Sequence, residues 1–390
     1  MCRRLLKKMK KIIITISIIL IFITSGFIIY SLLSPSDTLD LEIMDLVTDD
    51  SESTDSELVF ENKISIVSPE EILGYSINPA TKHIYVVNTL GEIKKINNSN
   101  SEKVSSQKIK GINKVQSSKD GRKIMIGFNY PNQPVFSIYN ITDGNWTPLP
   151  KNTISADWHP ENSNEIIYLT NDNLKILDLK KNRSRSVLNI KLTGSKLDWV
   201  SLSEVIVMER PTTKYSSDAW LINLSTKKIK KIASGKGLMI NQKDGWRLRF
   251  VYNSKGNKMF SLINSETNKV VGYFNFKTLP SKCVIDQNNF YCAIPNKIPL
   301  NISLPNDYLS RKFISDDIIQ SIMIGSDSQS IKSKILYKER DGLVDATDLK
   351  IVNDQLYFIN RFDNKLYSLK LDKVVEEVVK EEEVTEEVSQ

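Results

Sequence analysis

Three cysteines and two histidines limit the chemistry open to this chain. Cys283 and Cys292 lie on opposite arms of a predicted hairpin whose turn falls near Gln287 and Asn288. Their symmetric placement sets them across from each other, so a disulfide is the expectation, with two free buried thiols as the alternative. Closing such a loop stabilises by roughly 2.5–3 kcal/mol in the chain-entropy description. The C-x-x-C spacing of thiol redox sites is absent. His83 and His159 have no Cys or carboxylate grouping at ligand spacing, which points to structural roles and to no metal site. The turn aspartates Asp120, Asp244 and Asp354 read as caps for backbone donors, and no D-x-[DN]-x-[DN]-G calcium loop occurs. No G-x-S-x-G elbow is present, and no cofactor is implied. The expectation is therefore a non-enzyme. The rival class is a hydrolase or lyase acting on cell-surface polysaccharide, which needs carboxylates or histidines gathered at one site; the spacing reveals no such gathering.

Charge is the next candidate for function. The net +7 hides a partition: residues 1–11 carry +6, residues 34–62 carry ten acids and no base, residues 63–372 carry 45 bases against 29 acids, and residues 373–390 carry −5. The candidate basic patch comprises Lys180, Lys181, Arg183, Arg185, Lys243, Arg247 and Arg249. A body at +16 attracts an anionic polymer, lipid headgroups or an acidic protein, while lysines on outer strands equally serve to block edge-to-edge pairing. Residues 296–312 interrupt the strand pattern as a candidate interaction loop, with Tyr308 and Arg311 as its anchors and Pro299 and Pro305 limiting its freedom. The same stretch also fits a surface excursion that packs back on the strands beside it.

These residues need a location and a frame. Residues 12–33 hold no charge, and 22 residues at about 1.5 Å each span roughly 33 Å, enough for a helix to cross a bilayer core of about 30 Å. Six bases precede the run and the first base after it is Lys63, so the N-terminus stays inside and the rest faces outward. A cleaved signal peptide is the alternative, but its apolar core is usually about 7–15 residues, and this run continues past Gly26. Cys2 precedes the run, where a lipoprotein cysteine would follow it. The segments are thus a basic N-terminus (1–11), a transmembrane helix (12–33), an acidic spacer (34–62), a body (63–372) and an acidic tail (373–390). The expected localisation is the cell membrane, single-pass, with the body extracytoplasmic. Nucleic acid is disfavoured as a partner by that location.

The body repeats. Short alternating strands recur about every 40 residues, separated by Gly, Asn, Asp, Ser and Pro. Asp157-Trp158 and Asp198-Trp199 occupy one position of the unit, 41 residues apart. Seven units can be aligned, which predicts an all-β fold, a seven-bladed β-propeller with six or eight blades as alternatives. The last unit lacks an outer strand, and residues 64–67 are a spare strand placed to complete it and close the ring.

The turns Ser118-Lys119-Asp120-Gly121 and Trp158-His159-Pro160 resemble the S-x-D-G and W-x-P turns of the TolB-like and WD-repeat propellers, over about 310 residues. Lys282-Cys283, Tyr291-Cys292-Ala293-Ile294-Pro295 and Asp345-Ala346 give a closer resemblance to uncharacterised membrane-anchored bacterial propellers. That resemblance implies an outward-facing binding or assembly scaffold for an envelope protein or anionic polymer. It departs from TolB at the front, where an anchor and spacer stand in place of an α/β domain.

Overall fold

A computed structural model describes residues 64–97, 100–191, 194–325, 331–338 and 343–371. The basic N-terminus, the proposed transmembrane segment, the spacer and the acidic tail lie outside the described residues. Among the described residues no helix is long and apolar enough to cross a membrane.

Among the described residues, twenty-eight strands form seven four-stranded antiparallel sheets. Blade 1 is Ile72–Ile77, Ile84–Asn88, Ile93–Asn97 and Asn100–Lys103. Blade 2 is Lys114–Ser117, Lys123–Phe128, Val135–Asn140 and Trp146–Pro148. Blade 3 is Ser155–Trp158, Glu165–Leu169, Asn173–Asp178 and Arg183–Asn189. Blade 4 is Lys196–Ser201, Glu204–Met208, Ser216–Asn223 and Ile229–Lys236. Blade 5 is Met239–Lys243, Trp246–Tyr252, Lys258–Asn264 and Val270–Phe274. Blade 6 is Cys283–Asp286, Asn289–Pro295, Asp317–Ile324 and Ile331–Tyr337. Blade 7 is Ala346–Val352, Gln355–Asn360 and Lys365–Lys370, with Ile64–Ile66 from the start of the domain as its outer strand. The fold is the seven-bladed β-propeller that the repeat predicts.

Position within a blade follows from composition. Second strands are nearly continuous apolar runs, such as Glu165–Leu169 and Glu204–Met208, because both of their faces pack between neighbouring blades. Outer strands such as Arg183–Asn189 are mostly exposed and carry charge, which discourages pairing with another chain. First strands of successive blades meet around the axis. The turns joining first to second strands share the upper face; those joining second to third strands share the lower face.

Blades are tied together by side chains that reach about one repeat ahead. Ser76 and Ser117 hydroxyls lie 2.7 Å apart across 41 residues of sequence. Lys114 Nζ donates to Ala156 O at 2.7 Å, 42 residues on. The Trp199 amide donates to Asp157 Oδ2 at 2.6 Å, also 42 residues away. Lys243 Nζ donates to Ile285 O at 3.0 Å across the same separation. The recurring Asp-Trp pair is therefore partly an inter-blade tie, with Asp157 also accepting from Gln116 Nε2. Gly121 marks another close approach: at φ +66°, a Cβ there would sit 2.0 Å from Ile77 O of blade 1.

The seam between first and last blades uses the same devices. Ile64 pairs with Leu369, Ser65 with Ser368 and Ile66 with Tyr367. Tyr75 Oη donates to Asp348 O at 2.6 Å, and Lys350 Nζ donates to Tyr75 O at 3.1 Å. The third strand of blade 7 runs toward the upper face, so the chain enters at Ile64 on the upper rim. It leaves at Leu371 on the same face, where the Leu371 amide donates to Asp354 O. Deleting residues 64–66 should lower the thermal midpoint by about 5 °C or more, on the order of a few kcal/mol. An unchanged melting curve would show that the ring holds without this strand.

Candidate functional site: the central funnel and the strapped lower face

The upper face opens into a funnel of about 860 Å³ whose wall includes residues from all seven blades. Ile77, Val200, Leu202, Ile351 and Val352 supply apolar surface. Glu161, Glu204, Asp244, Glu266 and Asp286 supply carboxylates, against the cations Lys119 and Lys243. Part of this charge is already used: Lys243 pairs with Asp244 at 3.5 Å, and Asp244 Oδ2 accepts from the Gln287 amide at 3.2 Å. Among the described residues no three His, Cys, Asp or Glu are grouped so as to hold a metal ion.

The residues singled out in the sequence divide sharply. Cys283 and Cys292 face each other in register and form a disulfide across the first two strands of blade 6. His159 is a turn cap: its Nδ1 accepts from the amides of Glu161 and Asn162 at 3.0 and 2.9 Å, and its ring meets Trp199 edge-on at 4.5 Å. Partial burial lowers its pKa, as suits an imidazole that must stay neutral to accept. Asp120 accepts from the Ser118 hydroxyl and the Arg122 amide, closing the Asp-Gly turn.

The basic patch does not assemble as one surface. Lys180, Lys181, Arg183 and Arg185 are exposed together at the rim of blade 3. Lys243 belongs to the funnel wall instead, and Arg249 is half-buried. Arg247 corrects the expectation outright: it is 1% exposed, inside blade 5, where Nε donates to Gln242 Oε1 at 2.7 Å and Nη1 to Asn268 Oδ1. Burial first, and Arg249 second, lower its pKa to about 10. The cause is its strand, Trp246–Tyr252, a second strand sandwiched between blades, where even a charged residue turns inward if amide acceptors await it.

Residues 296–312 lie between the second and third strands of blade 6 and include a short helix, α1 (Asn306–Leu309). Their packing is not confined to their own blade. Asn306 Oδ1 accepts from the Thr213 amide of blade 4 at 3.0 Å. Lys258 Nζ of blade 5 donates to Ile302 O at 3.2 Å. Arg311 Nη2 donates to Asn364 Oδ1 of blade 7 at 3.1 Å. The insertion is thus a strap across the lower face, from blade 4 to blade 7.

Tyr308, expected as an outward anchor, is 4% exposed and fastens the strap from within. Its ring lies 3.7 Å from the Arg361 guanidinium carbon and 4.9 Å from Lys282 Nζ. Arg361 also donates to Tyr308 O at 2.7 Å and pairs with Asp345 at 3.0 Å. Lys282 Nζ sits 2.6 Å from both Asp317 and Asp345 and donates to Ser315 Oγ at 2.9 Å. Burial by itself would lower the Lys282 ammonium, but the two carboxylates outweigh it and hold it above the ordinary lysine range. Lys282 and Asp345 come from residues whose type marked no site in the sequence; only their contiguity with Cys283 and Ala346 set them apart.

No protein-family model matches the chain, and no curated protein matches it in sequence. Solved structures match it in fold. An oligogalacturonate lyase in complex with manganese aligns with TM-score 0.52 at 10% identity, over 80% of this chain and 91% of that one. U3-55K aligns with TM-score 0.50 at 9% identity, over 79% and 98%. TolB from Acinetobacter baumannii aligns with TM-score 0.40 at 11% identity, over 80% and 64%. The described residues thus form a seven-bladed β-propeller, and the comparisons agree with that fold. Such likeness shows the fold and no activity.

Replacing Lys282 by Met strands Asp317 without its cation and leaves Asp345 with Arg361 alone. A cost of about 3–5 kcal/mol is expected, read as a lowered denaturation midpoint. Faster tryptic cleavage after Lys297, Arg311 or Lys312 should accompany it as the strap loosens. Unchanged stability and an unchanged tryptic pattern would contradict this role for the cluster.

Proposed function

We propose that the chain is a single-pass membrane protein, N-terminus inside, whose propeller lies on the extracytoplasmic side and acts without catalysis as a binding or assembly scaffold for an envelope protein or anionic polymer. The observation that carries this reading is the upper funnel: about 860 Å³, open, and walled by turns from every blade. A concave site with an apolar floor and a few charged groups is the usual form of a binding site. Its mixture of carboxylates, lysines and apolar side chains favours a protein surface over a uniformly charged polymer at the funnel itself. A polymer would lie instead at the rim of blade 3, along Lys180, Lys181, Arg183 and Arg185. The Cys283–Cys292 disulfide accords with an oxidising compartment. The uncharged run at residues 12–33 supplies the anchor.

The test uses the full chain in cells, with a photoreactive residue in place of Leu202 at the funnel. External protease should remove the propeller from intact cells, and crosslinking should trap one envelope protein reproducibly. Substituting Glu161→Lys and Glu204→Lys should reduce that crosslink several-fold. Complete protease protection would reverse the topology, and a funnel that captures nothing would remove it as the contact face. Release of product from cell-surface polysaccharide by the purified chain would turn the assignment to the lyase or hydrolase class.

A further inference from the structure

Large exposed apolar side chains are distributed unequally between the two faces. Among the described upper-face turns only Leu202 is of this kind. On the lower face, the connections between second and third strands present Leu90 in blade 1, Tyr130 in blade 2, Tyr215 in blade 4, Leu300 and Leu309 in blade 6, and Phe362 in blade 7. Leu300 is fully exposed beside Pro299 at the outermost part of the strap. Five of the seven blades thus present at least one large apolar tip on the same side. Solvated apolar groups gathered on one face mark a contact surface.

The exposed charges between these tips are mostly positive. Arg210, Lys214, Lys255, Lys297, Arg311 and Lys312 are exposed on the same connections, against one exposed carboxylate, Asp172 of blade 3, which accepts from the Thr170 hydroxyl at 3.0 Å. The neighbouring carboxylates are engaged internally: Asp307 accepts from the Ser303 amide at 2.7 Å, Asp363 from Tyr367 Oη at 2.7 Å, and Glu209 from the Asp218 amide at 2.8 Å. Separate apolar and aromatic tips ringed by cations, spread over one broad face, suit a planar, deformable, anionic partner better than a single groove on a folded protein.

We infer that the lower face docks on the surface of an anionic lipid bilayer. The inference rests on the membrane anchoring proposed above only for the bilayer's proximity. The chain enters the propeller at the rim, at Ile64, and the 29 residues of the spacer allow a span of at most about 100 Å. Strands of up to eight residues make the disc about 26 Å deep, so that length does not prevent either face from meeting the bilayer. Leu300, Tyr130 and Tyr215 enter the headgroup layer, Arg311 and Lys312 pair with lipid phosphates, and the funnel is left facing away from the bilayer.

Full-length chain carrying Cys2→Ser, with Leu300→Cys or Leu202→Cys, is labelled with a nitrobenzoxadiazole dye under non-reducing conditions. It is placed in vesicles of phosphatidylcholine, with or without phosphatidylglycerol, that contain spin-labelled lipid as quencher. The dye at 300 should shift to the blue and be quenched several-fold more than the dye at 202, and more strongly with phosphatidylglycerol. Arg311→Glu with Lys312→Glu should reduce the quenching at 300. Equal quenching at both positions overturns the inference. Shielding at 300 that rises with protein density but escapes lipid quenching also overturns it and assigns the face to a second copy. If carbonate extraction releases the chain, the anchor reading fails separately, and quencher vesicles added to the released chain still decide the docking.

Discussion

Closure of the ring is the constraint on which the rest depends. One blade cannot bury its own faces; Ile166, Ile167, Val205 and Ile206 are buried because other blades stand against them. Seven such blades make a closed surface only if the last meets the first. Here Ile64–Ile66 pairs with the final strand, and Tyr75 and Lys350 exchange bonds across the same seam. The inter-blade ties elsewhere span 41 or 42 residues of sequence, whereas the tie from Lys350 to Tyr75 spans 275. The loop-closure entropy of that long separation is met once, at the seam; the other ties named here join adjacent repeats, apart from the strap's reach from blade 6 to Thr213 of blade 4.

A closed ring has two faces, and this chain makes them unlike. The upper turns are short, polar and open on a funnel. The lower face is crossed by the strap from blade 6, which adds Leu304, Tyr308 and Phe313 to the largest core cluster. The strap is held by two cations and two carboxylates that balance one another out of contact with water. Such a cluster adds little to stability by itself, yet it admits one placement of the strap, since removing any partner leaves a buried charge uncompensated.

The propeller was legible in the sequence because its signals are local and repeated: the Asp-Gly and Trp-His-Pro turns, the recurring Asp-Trp pair and the spare strand at residue 64 all survive as read. The paired cysteines were legible for the same reason, since a hairpin register depends on its own turn. Arg247 and Tyr308 were not. Residue type argues for exposure of an arginine in a polar run and for an outward tyrosine in a long loop. Their burial is decided by partners far away in sequence, Gln242 and Asn268 for one and Lys282 and Arg361 for the other. The funnel's carboxylates were equally hidden, because Glu161, Glu204, Asp244, Glu266 and Asp286 converge only once the ring has closed.

Native-state hydrogen exchange tests ring closure most directly. If the seam makes the propeller one cooperative unit, the amides of the blade 7 strands, with those that Ile64–Ile66 donates across the seam, exchange with the same opening free energy as the central strands of blade 4. The same denaturant dependence should hold for all of them. Exchange of blade 7 well before blade 4, in a separate step that exposes less surface, would contradict it.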